Sequence, residues 1–284
     1  MEKIAVVTDT GSNLSFAQAK ELGIYLLPLQ ITIDETTYQD TLEISTQDIY
    51  KELANGKMPK TSMAAYQKIY DLFEELKKDY DTIFAVPLTN GLSTNASTMQ
   101  SIARELEMNV HVIDMYATCA LEKHVAIWIK KLVNEHKSSE EILKIIQPAI
   151  DESNSLILVK NLQHLKRGGR LTPMAATLAG LLKIYPVLHI NKSTEGRIDV
   201  LNKVRTEKRA DAYAIDKIMD DIDIQHTHIY IIHSNFLEGA DHFKKCFIKK
   251  GVPEQNIHID YIGSVIAVHT GLGCIAIQYI REEN

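Results

Sequence analysis

The sequence predicts an α/β fold with mainly parallel sheets, arranged as two domains. The first predicted strand, residues 3–8, is continuously apolar from Ile4 to Val7, as expected of a strand that is covered on both faces. Strand-like and helix-like stretches then alternate along most of the chain, which is typical of sheets built from β-α-β units. A length of 284 residues, with 45% hydrophobic and 24% charged side chains, suits one or two globular domains.

The first half of the chain alternates strands and helices. Ser15 and Gly23 are start and stop signals of a short helix, and Ser45 opens another helix. Apolar residues at helical spacing predict a third helix, for which Ser62 is the expected N-cap. The predicted strands are 3–8, 25–33, 82–88 and 110–113, and the predicted helices are 15–22, 45–55, 63–78, 96–106, 117–135 and 139–151.

At residues 153–155 the pattern changes from long helical stretches to a strand. We place a domain boundary there, between an N-terminal α/β domain, residues 1–154, and a C-terminal α/β domain, residues 155–284. In the second half, paired glycines stop a short helix, and a turn at 195–197 predicts a hairpin. The predicted strands are 156–159, 184–190, 198–204, 227–233 and 257–261, the predicted helices are 161–166, 175–182, 210–221 and 239–249, and an apolar run at 274–280 closes the chain.

Composition and motifs argue against several classes of protein. A net charge of -6 and a pI near 6.0 disfavour nucleic acid as the main partner. The three cysteines form no Cys-x-x-Cys pair, so we expect no disulfide framework, no zinc site and a cytoplasmic location. The apolar start is too short for a signal peptide, and the tract at 178–190 is too short and too interrupted to span a membrane. His226-x-His228 is more typical of a solvated loop than of a metal site.

The hydroxyl-rich turn at 89–97 is the centre of the candidate site. It joins a predicted strand to a predicted helix, so Ser93 lies beside the unpaired N–H groups of a helix N-terminus, where an anion is stabilised. Ser62 has a similar position before the helix at 63–78. The alternative is that Ser93 or Asn95 only caps its helix, and the turn alone leaves both interpretations open.

His269 is the histidine of most interest, because it precedes the turn Gly271-Leu272-Gly273, where a small ligand can approach backbone N–H groups. A satisfied core histidine is the alternative. Arg170 and Arg205, taken singly, are more typical of surface or ion-pair residues than of ligands.

A set of short motifs, each weak alone, occurs in a specific order: Asp9-Thr10 with Ser12 and Leu14, Thr61-Ser62, Leu92-Ser93, Leu165-Lys166-Arg167-Gly168-Gly169-Arg170, Lys203-Val204-Arg205-Thr206 and His269-Thr270-Gly271-x-Gly273. With these motifs the chain resembles, over essentially all of its length, the DegV family, which includes the fatty acid-binding subunits of bacterial fatty acid kinases. It departs from the family's usual motifs at Met63-Ala64, Thr94-Asn95 and Leu272, which affects the expected head-group geometry and chain preference.

The resemblance implies a ligand site between two α/β domains. One long-chain fatty acid would lie there with its acyl tail buried and its carboxylate near the surface, with no other cofactor and no metal. The residues implied as carboxylate ligands are Thr61, Ser62, Ser93, His269 and Thr270. Arg170 and Arg205 would contact an anion or a partner. Burial of the tail contributes ~0.8 kcal/mol per CH₂, whereas a carboxylate cannot be buried unpaired.

Two main functions remain in competition. The first is a non-enzymatic protein that presents a bound fatty acid to a separate ATP-dependent kinase, giving an acyl phosphate, with transient contact with a membrane surface. The second is an enzyme acting on a small anionic or carbonyl metabolite, with His269 as base or nucleophile. A regulatory protein with a vestigial pocket is a third possibility. The apolar helix at 175–182 discriminates between the first two, since a lipid tunnel requires it to face the ligand.

Overall fold

The computed structural model describes residues 2–181 and 183–282. The first part of the chain forms β1 (Ile4–Asp9), α1 (Phe16–Leu22), β2 (Tyr25–Leu27), β3 (Gln30–Ile33), β4 (Thr36–Gln39), α2 (Thr46–Ala54), β5 (Lys60–Ser62), α3 (Tyr66–Leu76), β6 (Thr82–Val86), α4 (Asn95–Glu105), β7 (Val110–Val112), α5 (Ala120–Asn134) and α6 (Ser139–Glu152). The second part forms β8 (Asn154–Leu158), α7 (Leu162–Arg167), α8 (Pro173–Leu178), β9 (Tyr185–Ile190), β10 (Asp199–Val204), α9 (Glu207–Asp221), β11 (Thr227–His233), α10 (Leu237–Lys249), β12 (Ile257–Tyr261), α11 (Ser264–Thr270) and β13 (Ile275–Arg281).

The predicted α/β class is confirmed, and the first sheet is parallel as expected. Its strand order is β2-β1-β6-β7, and each neighbouring pair runs parallel. Every residue of β1 and of β6 is buried, because helices cover both faces of this sheet. The carboxyl ends of β1 and β6 therefore meet at one edge, where ligands of open α/β sheets usually bind.

A small antiparallel sheet, in the order β4-β3-β5, interrupts the predicted pattern. The expected strand at 25–33 breaks at Pro28, and its two parts join different sheets. Ser62 ends β5, and α3 begins only at Tyr66 after Ala65, which makes no side-chain cap. The prediction that Ser62 caps this helix is therefore wrong, because residues 60–62 pair with β3 instead.

The second sheet differs from the predicted parallel arrangement. Its order is β10-β9-β8-β13-β11-β12, and only β11 and β12 pair in parallel, while the other pairs are antiparallel. The final strand, β13, returns through the centre of the sheet between β8 and β11. Buried strands look alike in sequence whichever way they run, so the alternation of elements could not reveal this.

Helix α11 brings the two halves of the chain together. It belongs to the C-terminal part, yet it contacts α2 and β5 of the N-terminal part as well as α7. The Tyr50 hydroxyl of α2 donates a hydrogen bond of 2.6 Å to the carbonyl of Ile262, just before α11. The predicted division after residue 154 falls at the first residue of β8 and stays a prediction.

Candidate functional site between the two sheets

A carboxylate at the end of β1 organises the loop that carries Ser93. Asp9 Oδ2 accepts hydrogen bonds from the backbone N–H of Leu88 at 3.0 Å and from Asn95 Nδ2 at 2.6 Å. Because β1 and β6 are parallel neighbours, Asp9 reaches both ends of the loop at 87–94. This loop is therefore held at its first and last turns by one side chain.

Asp9 is paired with a second buried acid, Glu122 of α5. Burial raises the pKa of both carboxyls, and the pKa of Glu122 rises well above its usual range because the charge of Asp9 adds to the effect of burial. The raised pKa of Glu122 favours its neutral form, which can donate a hydrogen bond to Asp9; Asp9 Oδ1 also accepts from the N–H of Gly11 at 2.8 Å. No local pattern in the sequence indicated this pair, because a glutamate in a helix is usually solvated.

Ser93 lies where the sequence predicted it, in the turn before α4. Its Oγ accepts a hydrogen bond from the backbone N–H of Asn95 at 3.2 Å, whereas Thr94 makes no side-chain cap. An accepted bond leaves the hydroxyl hydrogen available for a ligand. Capping and anion binding, which the sequence left as alternatives, are compatible at this residue.

Thr61 and His269 are 208 residues apart in sequence and form a hydrogen bond in the structure. Thr61 Oγ1 lies 2.7 Å from His269 Nε2, and His269 Nδ1 lies 3.1 Å from the carbonyl oxygen of Gly168. A carbonyl only accepts, so Nδ1 carries the hydrogen and Nε2 accepts the Thr61 hydroxyl. His269 lies in the last turn of α11 and precedes the turn that begins at Gly271, as expected.

The surroundings of His269 keep its imidazole neutral. Burial lowers the pKa of His269 to about 4, and the nearby positive charge of Arg170 adds to this effect. The guanidinium of Arg170 is half-buried and donates from Nη1 to the carbonyl of Gly168 at 2.8 Å. Gly168 thus holds both the imidazole and the cation in place, and the cation makes this region favourable for an anion.

The other predicted ligands differ in position. Ser62 lines the same pocket, but it is exposed and its hydroxyl donates to Gln30 Oε1 at 3.0 Å. Thr270 lies in the wall, and its hydroxyl donates to the carbonyl of Ile266 at 3.2 Å. Arg205 is exposed beyond the far end of β10, about 20 Å along the strand from the pocket residue Ile198. The structure therefore does not bring Arg205 into the pocket that Arg170 lines.

These residues surround a pocket of about 430 Å³. Its polar side carries Thr61, Ser93, Arg170 and His269, and its apolar side carries residues of both halves of the chain. Behind it lies a narrow apolar chamber of about 30 Å³ against the second sheet. The walls shared by the pocket and the chamber are Leu92, Ile198, Ile266 and Thr270. The pocket has the size and the mixed lining of a small-molecule site.

Beside the pocket, the loop at 87–94 comes unusually close to the turn between β9 and β10. A Cβ atom placed on Gly91 would lie 2.3 Å from the backbone carbon and oxygen of Gly196, in the turn between β9 and β10. Gly196 has a φ of +70°, a conformation that glycine adopts readily. Only glycine at position 91 permits this approach, so the loop of Ser93 is fixed by the hairpin of the second sheet.

A larger cavity than this pocket lies elsewhere. It measures about 770 Å³, lies on the other face of the second sheet against α9 and α10, and contains none of the predicted carboxylate ligands. Leu178 of α8 lines this groove, whereas Ala175 packs into the apolar cluster around the narrow chamber. The predicted helix at 175–182 ends at Leu178, and Leu182 lies outside the described residues. None of the described residues of this predicted helix lines the pocket or the chamber, so the expectation that it faces the ligand is not met.

Within residues 2–181 and 183–282, no cluster of His, Cys, Asp and Glu side chains is suited to hold a metal ion. Over the same residues, no helix combines the length and the apolar character that a membrane crossing requires.

The fold and the pocket define an α/β protein whose candidate site is built from both halves of the chain. The chain belongs to the DegV family: a family model described as an uncharacterised protein of the DegV family matches residues 3–282. It is 31% identical to a DegV domain-containing protein of Halalkalibacterium halodurans, with 100% of each chain covered.

Two similar solved structures are described as fatty acid binding. One is a fatty acid binding DegV family protein from Streptococcus agalactiae, with 30% identity, a TM-score of 0.91 and 100% of both chains covered. The other is DegV from Bacillus subtilis, described as a fatty acid binding protein, with 27% identity, a TM-score of 0.87, and 99% of this chain and 100% of that chain covered. The predicted family and its two-domain fold are confirmed.

Proposed function

We propose that this protein binds one long-chain fatty acid, with the carboxylate in the pocket of Thr61, Ser93 and His269 and the tail in the chamber behind it. The observation that carries the proposal is that a polar, cation-flanked pocket adjoins an apolar chamber, with four lining residues in common. The fatty acid binding described for the two similar structures supports it.

The energetics favour a lipid over a small metabolite. Burial of a long acyl chain contributes on the order of 10 kcal/mol before the costs of association. The chamber of about 30 Å³ is narrow, so its isoleucine walls must move apart as a chain binds. Ser93 offers a hydroxyl hydrogen, and Arg170 offers a positive charge at the carboxylate.

The pair of Thr61 and His269 fixes one hydroxyl in the pocket wall. In the neutral state the Thr61 hydroxyl is directed at His269 Nε2, at 2.7 Å. To donate to a bound carboxylate, this hydroxyl turns away from Nε2 toward the ligand.

The same geometry argues against His269 as a general base in an enzyme. Catalysis at neutral pH favours a base whose pKa lies near the pH of the reaction. The pKa of His269 is lowered to about 4, and its Nδ1 faces a carbonyl, not a carboxylate that would strengthen the base. A carrier role, with no chemical step of its own, fits these properties better.

We further propose that a separate kinase acts on the bound carboxylate in the cytoplasm, with Arg170 facing the transferred phosphoryl group at the pocket mouth. The support is the half-buried guanidinium that lines the pocket. Arg170→Ala is expected to bind fatty acid more weakly, because the positive charge at the carboxylate is lost, and to form no acyl phosphate with a fatty acid kinase catalytic subunit even when saturated with fatty acid. Unchanged acyl phosphate formation would remove Arg170 from this role.

The first experiment is mass spectrometry of the purified protein under native and denaturing conditions, with organic extraction of released lipid. A mass difference of one fatty acid per chain is expected. Ser93→Ala should weaken binding by about tenfold or more, because a buried carboxylate that lacks a donor costs about 1–3 kcal/mol. Ser101→Ala, on the exposed side of α4, is the matched control and should bind as the wild type does. A wild-type protein that takes up no added fatty acid would refute the proposal.

A further inference from the structure

The inner chamber has a polar end wall. Most of its lining is apolar, but Gln278, Ser155 and Thr118 form one side. Residues Cys274, Ala276 and Gln278 alternate along β13, so their side chains share the face that lines the chamber. Gln278 is the last of the three, furthest along the strand from Cys274.

In the second sheet, residues that line the chamber lie side by side on the three neighbouring strands β8, β13 and β11. Ala276 pairs with Ile157 and Ile232, which gives an apolar row. One step further, Gln278 pairs with Ser155 and Tyr230, which gives a polar row. A chain that runs along this face from the pocket meets the apolar row first and the polar row next.

The side chain of Gln278 is fixed by hydrogen bonds to both halves of the protein. Its Oε1 accepts from the backbone N–H of Ala120 at 3.0 Å, and its Nε2 donates to the carbonyl of Thr118 at 3.0 Å and to Ser155 Oγ at 3.0 Å. Gln278 is about 1% exposed, so no rotamer change can move it aside without the loss of these buried bonds.

We propose that Gln278 is the residue that limits the length of the acyl chain in this protein. Its amide closes the chamber, and its donors are already satisfied, so it stops an apolar chain end without binding it. An acyl chain that reached further would have to displace an amide with three buried hydrogen bonds. This inference rests on the proposed binding of a fatty acid.

The test compares two substitutions at the same position. Gln278→Ala removes the side chain beyond Cβ and opens roughly two C–C bonds of about 1.5 Å each, so the bound population should shift to chains about two carbons longer. Gln278→Met keeps the volume but removes the hydrogen bonds that hold the side chain in place, so it should shift the preference to longer chains less than Gln278→Ala does. Each full-length protein is incubated with an equimolar series of even-numbered saturated fatty acids. The bound fatty acids are then extracted, and mass spectrometry measures the relative amount of each chain length.

The outcomes separate this inference from the proposed function. The role of Gln278 would be overturned, and fatty acid binding would stand, if Gln278→Ala bound the same chain lengths as the wild type. The same holds if Gln278→Met shifted the bound chain length as much as Gln278→Ala does. A wild-type protein that binds no fatty acid would overturn both. If Gln278→Ala does not fold, Ala276→Val adds volume on the same face nearer to the pocket, and it should shift the preference to shorter chains. An unchanged preference in that variant would also count against the inference.

Discussion

Replacement of Gly91 by alanine tests whether the contact between two loops shapes the pocket. The new Cβ would lie 2.3 Å from the backbone of Gly196 and 2.5 Å from the carbonyl oxygen of Glu195, well below any tolerated contact. These are backbone atoms, so no flexible side chain can yield, and the loops must separate by about 1 Å. Overpacking of this kind typically costs about 1–3 kcal/mol. Because loop 87–94 carries Ser93, the carboxylate site should open at the same time.

The assay for Gly91→Ala combines urea unfolding with measurement of bound fatty acid. We expect a lower midpoint and a loss of bound lipid. Gly56→Ala is the control, since Gly56 has a φ of +81° and nothing within 4 Å of a new Cβ. That variant should lose about 1 kcal/mol from backbone strain and keep its lipid. If Gly91→Ala keeps both wild-type stability and wild-type lipid content, the two loops do not fix the site.

Three further predictions concern buried groups. Asp9→Asn should lower the free energy of unfolding by about 1–3 kcal/mol, measured with urea, because it replaces a carboxylate oxygen that accepts from N–H donors. The pKa of His258 is lowered to about 4, mainly by burial, so the folded state resists protonation of this side chain. The free energy of unfolding should therefore not depend on His258 above about pH 6.5, and should fall as the pH drops from there toward 4. His258→Gln should flatten this part of the plot of unfolding free energy against pH. Native protein treated with a thiol reagent should be labelled at Cys246 only, because Cys119 and Cys274 are buried and burial raises the pKa of Cys119 to about 11. Labelling of Cys119 or Cys274 before the protein unfolds would contradict this prediction.

Local sequence signals were sufficient for elements whose ends carry caps. Ser15 and Ser45 form capping boxes at the predicted helix starts, and Gly23 ends α1 with a φ of +67°. The strand-to-helix turn at Ser93 was predicted for the same reason. Strand direction had no such signal, because the antiparallel strands β8, β9 and β13 are buried along most of their length, as the parallel strands β1 and β6 are.

The pairs that build the site depend on tertiary contacts that no local pattern contains. Thr61 and His269 were each expected near the ligand through the family resemblance, but the hydrogen bond between them follows from the position of α11 against β5. The raised pKa of Glu122 comes from its burial beside Asp9, which a helix pattern does not reveal. Arg205 was expected, like Arg170, to contact an anion or a partner, but it follows the far end of β10, a strand length away from the pocket residue Ile198.

Two departures from the usual family motifs meet in space. The Sδ atom of Met63 lies 3.4 Å from Thr94 Oγ1 and 3.4 Å from Thr98 Oγ1. The neighbour of Thr94, Asn95, is the amide that holds the loop to Asp9. Met63 and Thr94 therefore form one contact between the end of β5 and the start of α4, next to Thr61 and Ser93 of the pocket. A substitution at either position should move both hydroxyls, since the contact joins the two segments that bear them.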